Sequence, residues 1–576
     1  VHSTLSLLPY STLSLLPYSI VHTIADSDSI YLIISFLYNI SCYIPDEPLH
    51  YSIIPSFIPT VPLPLPYPDS LQMSPFPSVL SLLLLFLQYS NVTSLDKFVH
   101  IDMKGAPPRP EYLKTSFELF KQLGATGVVM EWEDMFPLTG ILSSASHGNA
   151  YSQSDVKSIL QHANRLNLTV IPLIQTFGHV EWLLKTALFS PLRENVNYTN
   201  VLCIGDEAVT DTLSDLISQV TTLHASVSPM PFFHIGADEA VINPGQCEED
   251  VEKMVELGTN DTKVLVFDHF LRVAKMVQDD FPETKILAWF DEFKDADPSL
   301  IKEYELDTRI IPVVWKYWST DLDGALPDAM WLNLSLSFSS SWGASAFKGA
   351  NGAARIDNAV VPYLANNQLW NDQIGRHSPL FNDSIPSIII TGWQRYDHFT
   401  GLCELLPTSM TTLAMSIIMV DKGNVTENDA SFISSILSCP PSTTLVELLS
   451  ANDSCQYPAY EVRSDIRSLK RMFDNFETYK YIHNLENGWF GRTQREKDFS
   501  SRYYLESLET QYKKYQTQLR TIVNSIREDF DKYYYSETAS EFLFDRVNWF
   551  SEKLQRGLWD ISQIDARKSF PVRPLF

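Results

Sequence analysis

The chain has 576 residues, 45% of them hydrophobic and 19% charged, which is enough for two or more domains with full cores. Its formal net charge of −26 argues against nucleic-acid binding, which needs clustered Lys and Arg, and favours a neutral substrate or an acidic compartment. The sequence has neither a glycine-rich nucleotide loop nor the CxxC spacing of a zinc site, so we expect no cofactor and no metal.

The first 72 residues contain no Met, Lys or Arg, and they open with a direct repeat of Ser-Thr-Leu-Ser-Leu-Leu-Pro-Tyr-Ser. We expect residues 1–72 to be a non-native translation of upstream sequence, with a disordered leader as the alternative. Met73 precedes the apolar run Val79–Leu87, which resembles a signal peptide and is too short for a typical membrane span. Residues 73–96 are therefore predicted to be a signal peptide and short linker, cleaved near residues 88–95.

Glycosylation motifs and cysteines support entry into the secretory pathway. Each Asn-x-Ser/Thr motif is weak alone. Eight of them follow Met73, at Asn91, Asn167, Asn197, Asn260, Asn333, Asn382, Asn424 and Asn452. Asn333 stands in an apolar run and is the one we expect to be unused. The cysteines allow Cys203–Cys247 and Cys439–Cys455 disulfides, and Cys403 in an apolar run could be a free buried thiol.

From residue 97 onward, short apolar runs alternate with amphipathic segments, a pattern typical of βαβ units and a parallel sheet. Eight runs indicate an α/β fold, a (β/α)8 TIM barrel, over residues 97–430. The predicted strands are Phe98–Met103, Gly127–Trp132, Leu168–Ile174, Pro231–Gly236, Lys285–Phe290, Ile310–Trp315, Leu332–Phe338 and Ser387–Trp393. The predicted helices between them are Glu111–Leu123, Ser154–Leu166, Thr210–Leu223 and Leu265–Phe281.

Residues 431–576 are predicted to form a C-terminal α-helical region that packs against the barrel. Its long amphipathic segments are Arg463–Phe473, Glu496–Lys532 and Glu541–Ile564. A role in binding a partner or in forming a homodimer is an open alternative to simple packing.

The fourth predicted strand ends in His234-Ile-Gly-Ala-Asp238-Glu239, where two adjacent carboxylates follow a hydrophobic run. Ionised carboxylates resist burial, and the C-terminal ends of barrel strands carry the catalytic groups of this fold. Two carboxylates in different environments can divide into one ionised group and one acid. The alternative is an N-cap for the following helix.

Tryptophans recur at the same edge of the predicted barrel. They are Trp132, Trp289, Trp315, Trp342 and Trp393. Several indoles converging on one mouth suggest an aromatic box for a pyranose ring, which stacks its apolar face on them. With carboxylates beside them, this pattern indicates glycoside chemistry.

These motifs together resemble family 20 β-N-acetylhexosaminidases, and in particular the hexosaminidase D branch. Besides the strand-four signature, the resemblance is carried by His100-Ile-Asp-Met-Lys-Gly-Ala-Pro-Pro108, Glu131-Trp-Glu-Asp-Met-Phe-Pro137, Gln175-Thr-Phe-Gly-His179, Ala344-Ser-Ala-Phe-Lys-Gly-Ala350 and Thr391-Gly-Trp-Gln-Arg-Tyr-Asp-His398. It spans about residues 97–420 and is weak beyond 430. It implies substrate-assisted hydrolysis, in which the substrate's 2-acetamido oxygen attacks the anomeric carbon and no protein nucleophile is needed.

The resemblance assigns the chemistry to a few positions. Glu239 would be the general acid and then the base, and Asp238 would orient the acetamido N–H and stabilise positive charge. Tyr317 would donate a hydrogen bond to the acetamide carbonyl. Trp393 would form the floor of the sugar site, with Trp289 and Trp315 as walls around the acetamido methyl.

Five further residues are candidates for substrate binding, each with a structural alternative. His179 could tune the carboxylates by hydrogen bonding. Asp291 and Glu131 could bind sugar hydroxyls or only pair with Arg395 or Lys104. Asp397 could be a hydroxyl ligand or a structural acid, and Arg109 could bind a hydroxyl or belong to a loop fixed by prolines.

The resulting prediction is an exo-acting glycoside hydrolase that removes terminal N-acetylglucosamine or N-acetylgalactosamine from a glycan. The alternatives are a silent sugar-binding barrel, and a retaining glycosidase whose nucleophile is Glu131 or Asp291. We expect a secreted or lysosomal glycoprotein without a stable membrane span. Cytoplasmic or nuclear localisation, as in some members of the branch, is the alternative.

Overall fold

Eight short apolar runs form the strands of a closed barrel, and the order of the strands around the barrel is their order along the chain. The computed structural model describes residues 95–240 and 243–576. The predictions for residues 1–72, for the signal peptide up to residue 94 and for Asn91 lie outside these residues. All strand pairs are parallel, and β1 (Asp96–Asp102) pairs with both β2 (Gly127–Glu131) and β8 (Ser387–Gly392), which closes the barrel. The predicted (β/α)8 barrel is thus confirmed.

The other strands are β3 (Thr169–Leu173), β4 (Phe232–His234), β5 (Lys285–Trp289), β6 (Ile310–Trp315) and β7 (Trp342–Lys348). Their residues are mostly buried, as expected for parallel strands with the barrel interior on one face and helices on the other. Inside the barrel, large side chains such as Phe98, Trp289 and Trp342 pack with aliphatic residues of neighbouring strands. This filled interior leaves the strand ends as the place for a site.

The sequence-based position of the seventh strand was wrong. The run Leu332–Phe338 lies almost wholly in a helix, Asp328–Ser337, and the strand follows it. A short apolar run of this length fits a helix or a strand equally well, so periodicity does not separate them. The true β7 is rich in Gly and Ala because a helix packs closely on it: a Cβ on Gly343 would lie 2.9 Å from the ring of Trp370.

Helices cover the outside of the barrel and continue beyond it. In chain order they are α1 (Pro110–Leu123), α2 (Gln153–Arg165), α3 (Glu181–Leu184), α4 (Glu207–Ala225), α5 (Glu248–Glu256), α6 (Thr262–Gln278), α7 (Pro298–Glu303), α8 (Leu306–Arg309), α9 (Leu322–Ala325), α10 (Asp328–Ser337), α11 (Val360–His377), α12 (Leu406–Lys422), α13 (Glu427–Ile436), α14 (Leu445–Leu449), α15 (Tyr460–Thr478), α16 (Lys480–Asn484), α17 (Arg492–Glu496), α18 (Arg502–Tyr533) and α19 (Ser536–Asp565). Local signals set the ends: α1 has Pro110 in its first turn and left-handed Gly124 after its last, and α2 begins with a Ser152–Asp155 capping box.

The C-terminal helices belong to the same compact unit as the barrel. The two longest, α18 and α19, form an antiparallel hairpin, in which Arg502 at the start of α18 pairs with Asp565 at the end of α19. Leu508, Tyr512 and Tyr515 of α18 are buried and serve packing, whereas Tyr503 is exposed.

Both predicted disulfides, Cys203–Cys247 and Cys439–Cys455, are present, and Cys403 is a buried free thiol. The side chains of the described sequon asparagines are exposed except that of Asn333, which is half-buried on α10 and donates to the carbonyl of Ala296. Among the described residues, no helix combines the length and apolar character needed to cross a membrane.

Candidate active site

A cavity of about 200 Å³ lies at the C-terminal ends of the strands, where a barrel of this kind carries its functional groups. The loop after β3 contributes Gln175 and His179 to its wall. The loop after β4 contributes Asp238 and Glu239, and the end of β6 contributes Trp315 and Tyr317. The ends of β1, β7 and β8 complete the wall with Lys104, Gly349, Ala350, Trp393, Arg395 and Tyr396. Most of the predicted centre therefore meets in one cavity.

The segment that carries the two carboxylates has an unusual backbone. Ala237 and Glu239 have φ values of 72° and 40°, and His179 on the neighbouring loop has a φ of 53°. Such left-handed conformations cost about 1–3 kcal/mol each in residues with a side chain, and they tend to occur at functional sites. The two loops also touch closely, since a Cβ on Gly178 would lie 2.1 Å from the carbonyl oxygen of Asp238.

His179 links the two carboxylates. Its Nε2 lies 3.6 Å from Oδ2 of Asp238 and 3.4 Å from Oε2 of Glu239, and its Nδ1 lies 3.9 Å from Oε1 of Glu181. Burial alone would lower the pKa of His179, but Asp238 and Glu239 raise it to about 10. The imidazole is therefore a cation at neutral pH that holds both acids at the cavity wall.

The two carboxylates differ in their surroundings, as paired catalytic acids require. Asp238 is buried, and burial raises its pKa against the opposing effect of His179. The side chain of Glu239 is half-exposed, and the hydrogen bond with His179 lowers its pKa. In the open cavity the pKa of Glu239 is thus shifted in the opposite sense to that expected of a general acid.

Beneath the β1 edge of the cavity lies a buried charge cluster around Lys104. Its Nζ is 3.3 Å from Asp102, 3.2 Å from Glu131 and 3.1 Å from Glu133. Glu131 also accepts a hydrogen bond from Nε2 of His100 at 3.0 Å. Burial would raise the pKa of Glu131, but Lys104 and His100 hold it well below its usual value. Glu131 is fully buried and does not line the cavity, so the ion-pair alternative holds and its role as a hydroxyl ligand or nucleophile is dropped.

Aromatic side chains form one side of the cavity. Trp315 and Tyr317 stack at 5.3 Å between ring centroids, and Tyr317 meets Trp393 edge-on at 6.4 Å. The ammonium of Lys104 lies 5.1 Å from the ring centroid of Trp393. Burial raises the pKa of Tyr317, which keeps its phenol protonated as a hydrogen-bond donor. These rings give the apolar face and the polar tip that a sugar ring needs.

Trp289 is not a wall of this cavity. Its side chain is 1% exposed and packs against His234 at 4.4 Å and Trp393 at 6.4 Å between ring centroids. It therefore supports Trp393 from within the barrel. Its place at the end of a predicted strand does not tell whether its side chain faces the cavity or the barrel interior. His234 is a buried core histidine, and burial lowers its pKa to about 3.

Asp291 lies in a second, more polar cavity of about 350 Å³, whose wall also includes Glu239, Asn243 and Lys294. Oδ2 of Asp291 accepts a hydrogen bond of 2.7 Å from Nε1 of Trp315. Burial, and after it the charge of Asp238, raise the pKa of Asp291 to about 7. Asp291 thus fixes the orientation of an indole in the first cavity and faces the space beyond Glu239.

Two predicted ligands have structural roles instead. Arg109 donates to the carbonyl of Asp531 at 2.9 Å and lies over the ring of Tyr535, so it attaches the barrel to the helical hairpin. Asp397 accepts from the backbone N–H of Phe399 at 2.8 Å and stabilises a turn in the loop after β8. Neither residue lines the cavity. The loops that carry these two residues direct their side chains away from the cavity. The order of the strands alone does not predict that direction.

The sequence reasoning missed six of the residues that line the cavity: Gly349, Ala350 and Tyr396, and three more whose contacts shape it, Gln175, Lys104 and Arg395. Gln175 accepts a hydrogen bond from the N–H of Ala237 at 3.1 Å and so fixes the catalytic segment. Lys104 and Arg395, considered only as partners for acids, line the cavity themselves. Gln175, Lys104 and Arg395 all stand within the motifs that carry the family resemblance, and membership of a motif was the signal that could have identified them.

Comparison with known proteins agrees with this geometry. A model of the glycosyl hydrolase family 20 catalytic domain matches residues 115–328. Hexosaminidase D of Homo sapiens is 30% identical over 495 residues, covering 83% of this chain and 96% of that protein. The chain belongs to glycosyl hydrolase family 20.

Within family 20 the similarity points to the hexosaminidase D branch, and the chain is a glycoside hydrolase. Hexosaminidase D of Bos taurus is 37% identical over 333 residues, covering 58% of this chain and 94% of that protein. Among solved structures, the chitobiase of Flavobacterium johnsoniae aligns with a TM-score of 0.46 at 13% identity, covering 82% of this chain and 74% of that one. The two acids of the cavity, Asp238 and Glu239, lie within the residues 115–328 that the family model matches.

Proposed function

We propose that this family 20 enzyme is an exo-acting β-N-acetylhexosaminidase that removes terminal N-acetylglucosamine or N-acetylgalactosamine by substrate-assisted, retaining hydrolysis. The observation that carries the proposal is the meeting of Asp238 and Glu239, both in contact with His179, with Tyr317 and Trp393 in one cavity. The natural substrate would be a glycan or glycoconjugate that ends in a β-linked N-acetylhexosamine.

In the first step, the carbonyl oxygen of the 2-acetamido group attacks C1, and the bond from C1 to the glycosidic oxygen breaks. Glu239 gives its proton to that oxygen, and an oxazolinium ion remains on the sugar. Asp238 accepts a hydrogen bond from the acetamido N–H and stabilises the positive charge, while Tyr317 donates to the carbonyl oxygen. In the second step, Glu239 takes a proton from water and the hydroxide bonds to C1. The bond from C1 to the acetamido oxygen breaks, which regenerates the 2-acetamido group and leaves net retention at C1.

The low pKa of Glu239 in the open cavity is compatible with this role if the sugar changes its surroundings. The Glu239 side chain is half-exposed, and a bound sugar would remove water from around it and raise its pKa. His179 would then stay with Asp238, whose ionised form the mechanism needs. The second cavity beyond Glu239 would hold the leaving group, since Glu239 borders both spaces.

The mechanism is tested by substrate choice. Aryl β-N-acetylglucosaminide and aryl β-glucoside differ in the acetamido group, and only the first can supply its own nucleophile. We expect kcat/KM for the glucoside to be lower by several orders of magnitude. Equal rates on both substrates would instead support a protein nucleophile, and no hydrolysis of either would support a silent sugar-binding barrel.

The roles of the acids are tested by E239Q and D238N, with E256Q on the surface of α5 as the control. Acid catalysis is typically worth about 10²–10⁴-fold, so E239Q should lose that much turnover. The loss should be smaller for a nitrophenyl leaving group, which needs little protonation, than for a sugar leaving group. E256Q should retain wild-type kinetics. Wild-type turnover in E239Q would remove Glu239 from the mechanism.

We also propose that the enzyme works in the secretory pathway, as a secreted or lysosomal glycoprotein. Support comes from the two disulfides, since such bonds persist in oxidising compartments, and from the exposure of most sequon asparagines. Treating the natural protein with an N-glycosidase should lower its apparent mass. An unchanged mass together with a cytosolic fraction would contradict this localisation.

A further inference from the structure

We propose that Glu541 on α19 is a positioning residue for substrate binding, which acts through Arg395 in the wall of the catalytic cavity. The inference rests on the proposed function, and it makes the C-terminal helical hairpin a part of the substrate site. Glu541 follows the last barrel strand by about 150 residues of chain, so nothing local in the sequence connects it with the cavity.

The guanidinium of Arg395 is held by three separate parts of the chain. Its Nη1 and Nη2 donate to Oε1 and Oε2 of Glu541 at 2.6 Å and 3.0 Å, a bidentate pair of the strongest kind. Its Nε donates to the carbonyl of Lys104 at 2.9 Å, and Nη1 also donates to the carbonyl of Thr400 at 2.9 Å. Four of its five N–H groups are thus used, and the side chain is only 7% exposed.

This arrangement connects the ends of β1 and β8 at the sugar site. The carbonyl that Arg395 holds belongs to Lys104, whose ammonium lies 5.1 Å from the ring centroid of Trp393. Gln394, next to Arg395, donates its N–H to Asp102 at 2.7 Å. A shift of the guanidinium would therefore move two cations of the wall together with the ring proposed as the sugar floor.

Among the described residues, the other polar contacts of α19 with the barrel do not involve a cavity-lining residue. Glu537 accepts from the amide of Asn149, and Arg546 donates to the carbonyls of Leu402 and Ala353. Glu541 differs because its partner faces the cavity. A lysine at position 395 could not replace the arginine, since a single ammonium cannot form the planar fork that a carboxylate and two carbonyls receive here.

The test compares E541Q with E537Q, a matched change one turn earlier on α19. Glutamine keeps the size of Glu541 but removes the charge that fixes the guanidinium. We expect E541Q to raise KM for aryl N-acetylglucosaminide about 10-fold, with kcat within about threefold, because binding is disturbed and the acids are not. Calorimetric binding of N-acetylglucosamine should weaken by a similar factor. E537Q should match the wild type in both measurements.

A charge-swapped variant, R395E/E541R, separates positioning from stabilisation. The swap restores opposite charges between helix and barrel but leaves the carbonyls of Lys104 and Thr400 without their donor, so it should recover only part of the Tm that E541Q loses. It does not return a guanidinium to the cavity, so KM should stay raised. Recovery of KM as well as Tm would make the pair merely structural and overturn the proposal, as would an E541Q variant with wild-type KM. If E239Q kept wild-type turnover, the proposed mechanism would fail, while the KM of E541Q would still report on Glu541.

Discussion

Replacing His179 with asparagine removes a positive charge that lies within 3.6 Å of both proposed catalytic carboxylates. Asparagine keeps a polar side chain that tolerates the left-handed backbone at this position, where φ is 53°, so the change acts mainly through charge. We expect the variant to be less stable than the wild type at neutral pH, and the difference to depend on pH in a defined direction.

The magnitude follows from the pKa of His179, which the two carboxylates raise from 6.5 to about 10. A pKa difference of one unit corresponds to about 1.4 kcal/mol. The full difference would give about 5 kcal/mol, and solvent screening of a side chain that is 23% exposed lowers this figure to about 3–4 kcal/mol. Because the folded-state pKa is raised, this stabilisation is fully present below pH 6.5 and disappears as the pH rises towards 10.

The measurement is the urea midpoint or the Tm of the wild type and H179N at pH 6, 8 and 10. The advantage of the wild type should be greatest at pH 6 and should shrink steadily towards pH 10. His483, which is exposed on α16, provides the control variant H483N, which should change stability by less than about 0.5 kcal/mol. Parallel curves for the wild type and H179N across this pH range would refute the reasoning.

Three further variants test other parts of the structure. K104M should lower the free energy of unfolding by about 3–5 kcal/mol at pH 7, because it leaves three buried carboxylates without their cation. The loss relative to the wild type should be smaller at acidic pH, where these carboxylates bind protons. G349A should lower both activity and Tm, since its Cβ would lie 2.0 Å from the carbonyl oxygen of Trp393 and its φ is 72°, whereas G375A in α11 should be tolerated because nothing lies within 4 Å of its Cβ. R109A should keep kcat and KM within about twofold while the Tm falls, and a large loss of activity would return Arg109 to the site.

Features that depend on neighbours along the chain could be predicted from the sequence. The alternation of apolar runs and amphipathic segments gave the barrel and seven of its strands to within a few residues. The carboxylates at the end of β4 were predicted at the cavity because parallel strands place all their C-terminal ends at one face. The seventh strand was misplaced because a short apolar run with alternating Leu and Ser suits a helix equally well.

Within the site, a prediction succeeded when only a few residues of chain separate the side chain from the end of its strand. Asp238, Glu239 and Tyr317 follow β4 and β6 within a few residues, so strand order alone brought them to the cavity. Arg109 also follows a strand, but its loop turns towards α18, and its guanidinium meets a helix carbonyl instead. Glu131 lies at the end of β2, as predicted, but its side chain forms an ion pair with the buried Lys104 and does not line the cavity.

The sequence by itself determined the fold class, the family and the pair of acids, because periodicity and a short motif are local properties that survive without knowledge of packing. Only the tertiary structure decided which charged groups form ion pairs, as for Glu541 with Arg395 and Lys104 with its three carboxylates. Apart from the Lys104–Asp102 pair, those contacts join positions 27 to 146 residues apart. Their geometry is set by how loops and helices pack on the barrel, and no single stretch of sequence carries that information.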